Sequence, residues 1–254
     1  MTATTVSDDE NGNGAGDEGS VARDAILVLD ANTKIGEEVV LQLILKRLKV
    51  KALVSDAVQA AEAFGEYANC VESSLDDRSS LRRLLSGIKR VVVTGAMGYD
   101  KGERLMEACR SAKVEHVVLL SSFVQSEGLG ATLSQIFNKE RANLEDGERE
   151  RVVGAAGVPF TIVRAGDLRD SNFAGGGLST SLVVTKREAE ATGAAPGGGN
   201  LSRADFALAA VACLSHPPRN LVLDLVETAD GGAGGTGARS FVVEEEDDWV
   251  SVFE

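Results

Sequence analysis

Apolar runs and helix-like patterns alternate along most of the chain. "AILVL" (25–29) is continuously apolar, as a strand buried on both faces requires. In "GEEVVLQLILKRL" (36–48), Val39, Val40, Leu43 and Leu45 recur at helical spacing. The alternation continues with a strand at 50–55, a helix within 57–68 that ends near Gly65, and a short strand at Cys70–Val71. "DRSSLRRLLSG" then reads as a helix closed by Gly87 as C-cap. A fourth strand (90–95), a helix in "GERLMEACRSAK", a fifth strand (116–122), a long charged helix within 133–156 and a sixth strand (159–166) follow. Beyond Gly166 the texture changes. Gly-rich stretches at 174–177, 192–200 and 230–238 read as flexible loops. Between the last two lie a helix, "SRADFALAAVACLS", and a seventh strand at 220–227. Ser202 is the expected N-cap of that helix, with Asp205 three residues on. β-Branched runs separated by helices predict a parallel sheet covered on both faces.

Composition narrows the class. The chain has 254 residues, 43% of them hydrophobic, enough for one large α/β domain with a sizeable core. No apolar stretch approaches the ~20 residues needed to span a bilayer, so no transmembrane helix is expected. The net charge of −13 is concentrated at the ends. Asp8, Asp9, Glu10, Asp17 and Glu18 lie in residues 1–20; Glu244, Glu245, Glu246, Asp247, Asp248 and Glu254 lie in residues 241–254; neither stretch has a basic residue. The body carries 28 acids against 26 bases and offers no basic face for direct nucleic-acid contact. Cys70, Cys109 and Cys213 are too dispersed for a disulfide framework, and two histidines make a zinc site improbable. Residues 1–23 are expected to be a disordered acidic tail and 230–254 a Gly-rich linker with an acidic tail. They flank a folded body at 24–229.

"ILVLDANTKIG" (26–36), "VKALVSD", "VEHVVLLSS", "GVPFTIVRAGDL" and "LSRADFALAAVACL" occur in an order that resembles the atypical short-chain dehydrogenases, the NmrA-like NAD(P)-binding Rossmann proteins. The resemblance covers about residues 24–227. It implies a single doubly wound sheet of order 3-2-1-4-5-6-7 and NAD or NADP as cofactor. "VVLQLILKRLKVKALVSDAVQAAEAFGEY" and "NKERANLEDGERERVVGAAGVPFTIVRAG" are similar to one branch, the Rossmann-fold proteins of the plastid transcriptionally active chromosome. That likeness implies a chloroplast setting, at thylakoid or nucleoid, with protein partners in a plastid complex. Peripheral membrane association and a cytoplasmic location stay open.

In this family three glycines shape the phosphate turn: one for the bend, one for close approach of backbone to pyrophosphate, one for helix–strand packing. The matching positions are Asp30, Thr33 and Gly36. The packing glycine survives, whereas the first has become a carboxylate near the phosphate position. The resemblance places the nucleotide against Asp30, Asn32, Thr33, Lys34, Ile35 and Gly36, then Ser55 and Asp56, Ser74, Gly95 and Ala96, and Ser121. Asp56 is either an acceptor for a ribose hydroxyl, which favours NAD, or the cap of the next helix. Lys34 either offsets Asp30 or points to water.

A short-chain dehydrogenase uses a Tyr with a Lys four residues later. Tyr67 is followed at that spacing by Val71 and Tyr99 by Glu103, and the counterpart region offers Phe137 and Lys139. Ser122 and Lys139 are the remaining candidates for chemistry. Lys139 could touch a nicotinamide ribose, but its place in a charge run favours a solvated lysine. The segment after the sixth strand, which builds a pocket wall in enzymes of this fold, contributes one aromatic, Phe173. Trp249 is expected to pack on the body or on a partner. Together these features point to a non-catalytic or weakly nucleotide-binding scaffold or redox-responsive partner. The alternative is an NAD(P)H-dependent oxidoreductase or isomerase.

Overall fold

The computed structural model describes residues 24–95, 97–122, 147–170, 178–188, 201–216, 220–227 and 239–254. In chain order the elements are β1 (Ala25–Leu29), α1 (Lys34–Leu45), β2 (Val50–Leu53), α2 (Ala57–Phe64), β3 (Ala68–Val71), α3 (Arg78–Leu84) and β4 (Ile88–Val93). Then come α4 (Tyr99–Ser111), β5 (His116–Ser122), α5 (Gly147–Ala155), β6 (Phe160–Ala165), β7 (Leu168–Arg169) and β8 (Leu182–Glu188). The chain ends with β9 (Leu201–Ser202), α6 (Arg203–Ser215), β10 (Leu221–Glu227), β11 (Arg239–Val243) and α7 (Trp249–Phe253). Among the described residues, no helix is long and apolar enough to cross a membrane.

The main sheet runs β11-β8-β10-β6-β5-β4-β1-β2-β3. Its seven parallel strands, β3 to β10, follow the expected order, with β10 as the seventh. Alternate residues face opposite layers. Ile26 and Val28 join α1, α2, α6 and α7 in one core, and Leu27 and Leu29 join α3, α4 and α5 in the other. Register pairs Leu27 with Lys51 and with Val91, which aligns the carboxyl ends of β1, β2 and β4. That common edge carries the cleft described below.

Two expectations are corrected. The sheet has two further strands, since β8 pairs antiparallel with β10 and β11 antiparallel with β8. An antiparallel ribbon completes the hydrogen bonding that a parallel edge strand would leave open. "LVVTKRE" therefore belongs to the sheet rather than to a pocket wall. Nor are residues 239–254 a tail. Val243, Trp249, Val252 and Phe253 are buried in the α1–α6 core, and Phe253 stacks on His216 at 4.4 Å. The acidic run between them makes the turn. The Asp248 carboxylate accepts from the Glu244 and Glu245 N–H groups at 2.9 Å each, which holds its pKa down, and Glu246 pairs with Lys46. Smaller shifts concern helix ends. The α3 helix stops at Leu84 with Leu85 as its C-cap, and Gly87, at φ +74°, forms the bend into β4. The Gly-rich stretches 174–177, 192–200 and 230–238 lie outside the described residues. Residues 1–23 do so as well.

Candidate functional site

The chain leaves β1 through Asp30, whose φ of +50° lies in the left-handed region that a glycine would fill without strain. The bend is closed on itself. The Thr33 N–H and hydroxyl both donate to the Asp30 carbonyl, at 3.0 and 2.8 Å. The Thr33 hydroxyl also accepts from the Gly36 N–H at 3.1 Å and so caps α1. A Cβ at Gly36 would lie 2.8 Å from the Ala31 Cα and closer still to the Asp30 carbonyl, so the packing glycine is a steric requirement. Thr33 satisfies one of the donors that a helix start normally offers a phosphate. The N–H groups of Lys34 and Ile35 have no acceptor among the described residues.

The Asp30 side chain crosses to the end of β4. A Cβ on Gly95 would come within 2.5 Å of the Asp30 Cγ, so the carboxylate lies against the bare Gly95 backbone. Burial pushes this carboxyl above the usual carboxylate range, while the Arg149 and Lys101 charges pull it back down. Thr94, next to Gly95, donates to the Leu29 carbonyl at 2.6 Å and locks the ends of β4 and β1 together.

A cleft of about 1000 Å³ opens over these strand ends, where the strand order reverses between β1 and β4. Asp30, Asn32, Thr33, Lys34 and Ile35 form one wall. Leu53, Val54, Ser55, Ser73, Ser74, Leu75 and Asp76 form another, and Thr94, Gly95, Lys101 and Arg203 complete the lining. The Asn32 amide donates to the Ser55 hydroxyl at 2.9 Å, tying the first turn to the end of β2. The Ser74 hydroxyl accepts from the Asp76 N–H at 3.0 Å. Lys34 and Arg203 share Asp170, at 3.5 and 2.6 Å, and Lys101 and Arg104 share Asp76, both at 3.4 Å. Lys34 is largely in water; its side chain is 66% exposed.

Several expected residues stand elsewhere. Asp56 is the N-cap of α2, accepting from the Gln59 N–H at 2.9 Å, and does not line the cleft. Of its two readings, the cap is the one its geometry fills, because the carboxylate is one turn from an open helix start. The Ser121 side chain is buried and donates to Glu150 at 2.6 Å. Ser122, buried at the end of β5, faces the opposite layer. Gly36 supports the turn from below rather than lining the cleft. Ala96, Phe137, Lys139 and Phe173 lie outside the described residues. Neither tyrosine reaches the cleft: Tyr67 is exposed, and the Tyr99 hydroxyl donates to Glu103 beneath the Arg151 guanidinium.

Sequence reasoning missed Lys101, Arg203 and Asp76 as cleft residues, and it missed a charge network beside Ser121. The Arg164 Nε donates to Glu150 at 2.9 Å, Arg164 approaches Asp224 at 3.8 Å, and Arg187 donates to Asp224 from β8. Burial raises the Asp224 pKa against the pull of Arg187 and Arg164. A signal existed, since "TIVRAG" and "LVLDLVE" each place one charge in an apolar strand, and a buried charge needs a partner. Both carboxylates of this network are held by guanidinium groups, so its role is to hold β5, β6, β10, β8 and α5 together.

Comparison with known proteins agrees with this geometry. A family described as NAD(P)H-binding matches residues 31–217. An NAD(P)H azoreductase from Xenophilus azovorans is 31% identical over 144 residues, which are 56% of this chain and 47% of that protein. The chain thus matches about half the length of that curated relative. Among solved structures, the anaerobillin reductase ChuY from Escherichia coli O157:H7 superposes with a TM-score of 0.63 at 16% identity, over 82% of this chain and 100% of that one. A wide-type short-chain dehydrogenase/reductase from Veillonella parvula in complex with NADP gives 0.63 at 14% identity, over 84% and 99%. At those identities the likeness is one of fold. With the family match over most of its length, the chain belongs to the NAD(P)H-binding Rossmann family.

Proposed function

We propose that the chain binds NAD(H) or NADP(H) in this cleft and works as an NAD(P)H-dependent oxidoreductase. The observation that carries the reading is the cleft itself, set on the switch-point edge with the start of α1 and three cationic side chains on its walls. Each part suits one portion of a dinucleotide. Leu53, Val54 and Leu75 offer apolar contact for an adenine ring. The hydroxyls of Ser55 and Ser74 suit ribose. The Lys34 and Ile35 N–H groups face the place of the pyrophosphate. The bound cofactor supplies a hydride; the chain holds it and shields it.

With no tyrosine at the cleft, the acceptors that suit it are conjugated ones whose reduced form takes its proton from water, such as a quinone or an azo compound. The name of the azoreductase relative supports the same class. A second reading, a nucleotide-responsive partner without turnover, is favoured by the Asp30 carboxylate at the phosphate position. We place the protein in a plastid complex on the resemblance noted above.

The test is a calorimetric titration with NADH and with NADPH, followed by cofactor oxidation against a panel of quinones and azo dyes. Micromolar binding with acceptor-dependent oxidation is expected. Binding without oxidation of any acceptor selects the second reading, and absence of binding at millimolar ligand removes both.

A further inference from the structure

We infer that Asp30 is the specificity-determining residue of the cleft and makes dinucleotide entry proton-coupled: the carboxylate takes a proton from solvent as a pyrophosphate settles at the start of α1. This inference rests on the nucleotide reading above. Its basis is position. The Asp30 carboxylate lies on Gly95, between the ends of β1 and β4 and beside the unaccepted Lys34 and Ile35 N–H groups. Asp30, Lys34 and Ile35 line the same cleft, so an anion reaching those donors enters the field of this carboxylate.

The surrounding charges relieve that meeting only in part. From α1 and α6, Lys34 and Arg203 face the cleft, and both are paired with Asp170. From α4, Lys101 shares Asp76 with Arg104, and Asp76 is itself a second negative wall. From α5, Arg149 is fully buried and acts on Asp30 through its field. Lys34, Arg203 and Lys101 thus already answer a carboxylate, and the field of Arg149 offsets the burial of Asp30 only in part. Burial has in addition moved Asp30 toward its neutral form before any ligand arrives. The least costly adjustment is one proton on the Asp30 carboxylate, which removes the repulsion and leaves a donor for a phosphate oxygen. Ligands without phosphate at this point, such as adenosine, carry no such requirement.

The experiment is calorimetry with NADH, whose pyrophosphate does not titrate near neutrality, in two buffers of different ionisation heat. It compares the wild type, Asp30→Asn and Asp30→Gly, with adenosine as control. Asn and Gly both tolerate the left-handed bend, so the turn keeps its shape. Wild type is expected to take up close to one proton per NADH at about pH 6 and to bind roughly ten- to hundredfold tighter there than at about pH 8. Asp30→Asn is expected to take up none, to lose the pH dependence, and to bind roughly ten- to hundredfold tighter at the higher pH. Adenosine binding stays flat with pH in all three proteins. NADH binding by wild type without proton uptake, or with an uptake that Asp30→Asn retains, overturns this inference and leaves the nucleotide reading standing. Failure of all three proteins to bind either NADH or NADPH removes that reading, and this inference with it.

Discussion

Replacing Gly95 by Ala probes the contact that distinguishes this turn. The new methyl would sit 2.5 Å from the Asp30 Cγ and 2.6 Å from its Cβ, against about 3.5–4.0 Å for a relaxed carbon contact. About 1 Å of displacement is required, and the atoms in the way are a side chain. Overpacking of this kind costs about 1–3 kcal/mol. Asp30→Gly removes the obstacle and also the strain of a side chain at φ +50°, worth about 1–2 kcal/mol. Asp30→Gly alone should therefore leave stability unchanged or raised, and in its background Gly95→Ala should cost almost nothing. Gly36→Ala supplies the contrast. Its methyl meets the Ala31 Cα at 2.8 Å and the Asp30 carbonyl, both backbone, so Asp30→Gly should not rescue it. Urea unfolding reports all these proteins through Trp249, the sole tryptophan, which is buried. If the Asp30→Gly/Gly95→Ala protein loses the sum of the single effects within about 0.5 kcal/mol, the two residues do not touch and the argument fails.

Two further outcomes test the frame around the cleft. Trp249→Ala should cost about 3–5 kcal/mol, read as a fall in thermal midpoint by far-UV circular dichroism, whereas Val250→Ala, at a residue 48% exposed, should stay within about 0.5 kcal/mol. Equal effects would mean that α7 is not packed on the core. The buried His116, beside Thr161 at 3.0 Å, has its pKa pushed down to about 4 by burial and by Arg90. Between about pH 6.5 and that value the unfolded chain binds a proton the native one does not. Stability should therefore fall as the pH is lowered through that window, by up to about 1.4 kcal/mol per unit. His116→Gln should flatten the pH dependence of the urea midpoint, and an unchanged slope would remove His116 as its source.

The parallel core was legible because its evidence is local and redundant. Continuous runs such as "AILVL" and "HVVLLSS" cannot satisfy both faces except inside a covered sheet, and their order with the helices leaves little freedom of topology. What was not legible depends on partners distant in sequence. "LVVTKRE" carries too few apolar residues to announce a strand; its pairing with β10 supplies the rest. In "FVVEEEDDWVSVFE" the acidic block hid the apolar groups on either side, although it is one short turn. At the cleft, the first turn was found by its place after β1. Arg203 and Lys101 were not found, since each reaches the site from a helix start far along the chain.

The three glycines of a phosphate turn perform three separable tasks, and the structure shows each met on its own terms. Close packing cannot be delegated: backbone blocks any Cβ at Gly36, and the glycine is kept. The bend can be made by another residue, and Asp30 makes it with a left-handed backbone. The approach position can carry a side chain if that side chain turns inward, as Thr33 does in capping α1. Counting glycines therefore misjudges this site. Backbone shape and an open helix start persist with only one of the three, and the change that bears on the ligand is one of charge. On the proposed reading, affinity for a dinucleotide then turns on the protonation state of a single carboxylate rather than on the geometry of the loop. Exchange at Asp30 alone should move it, with the fold left intact.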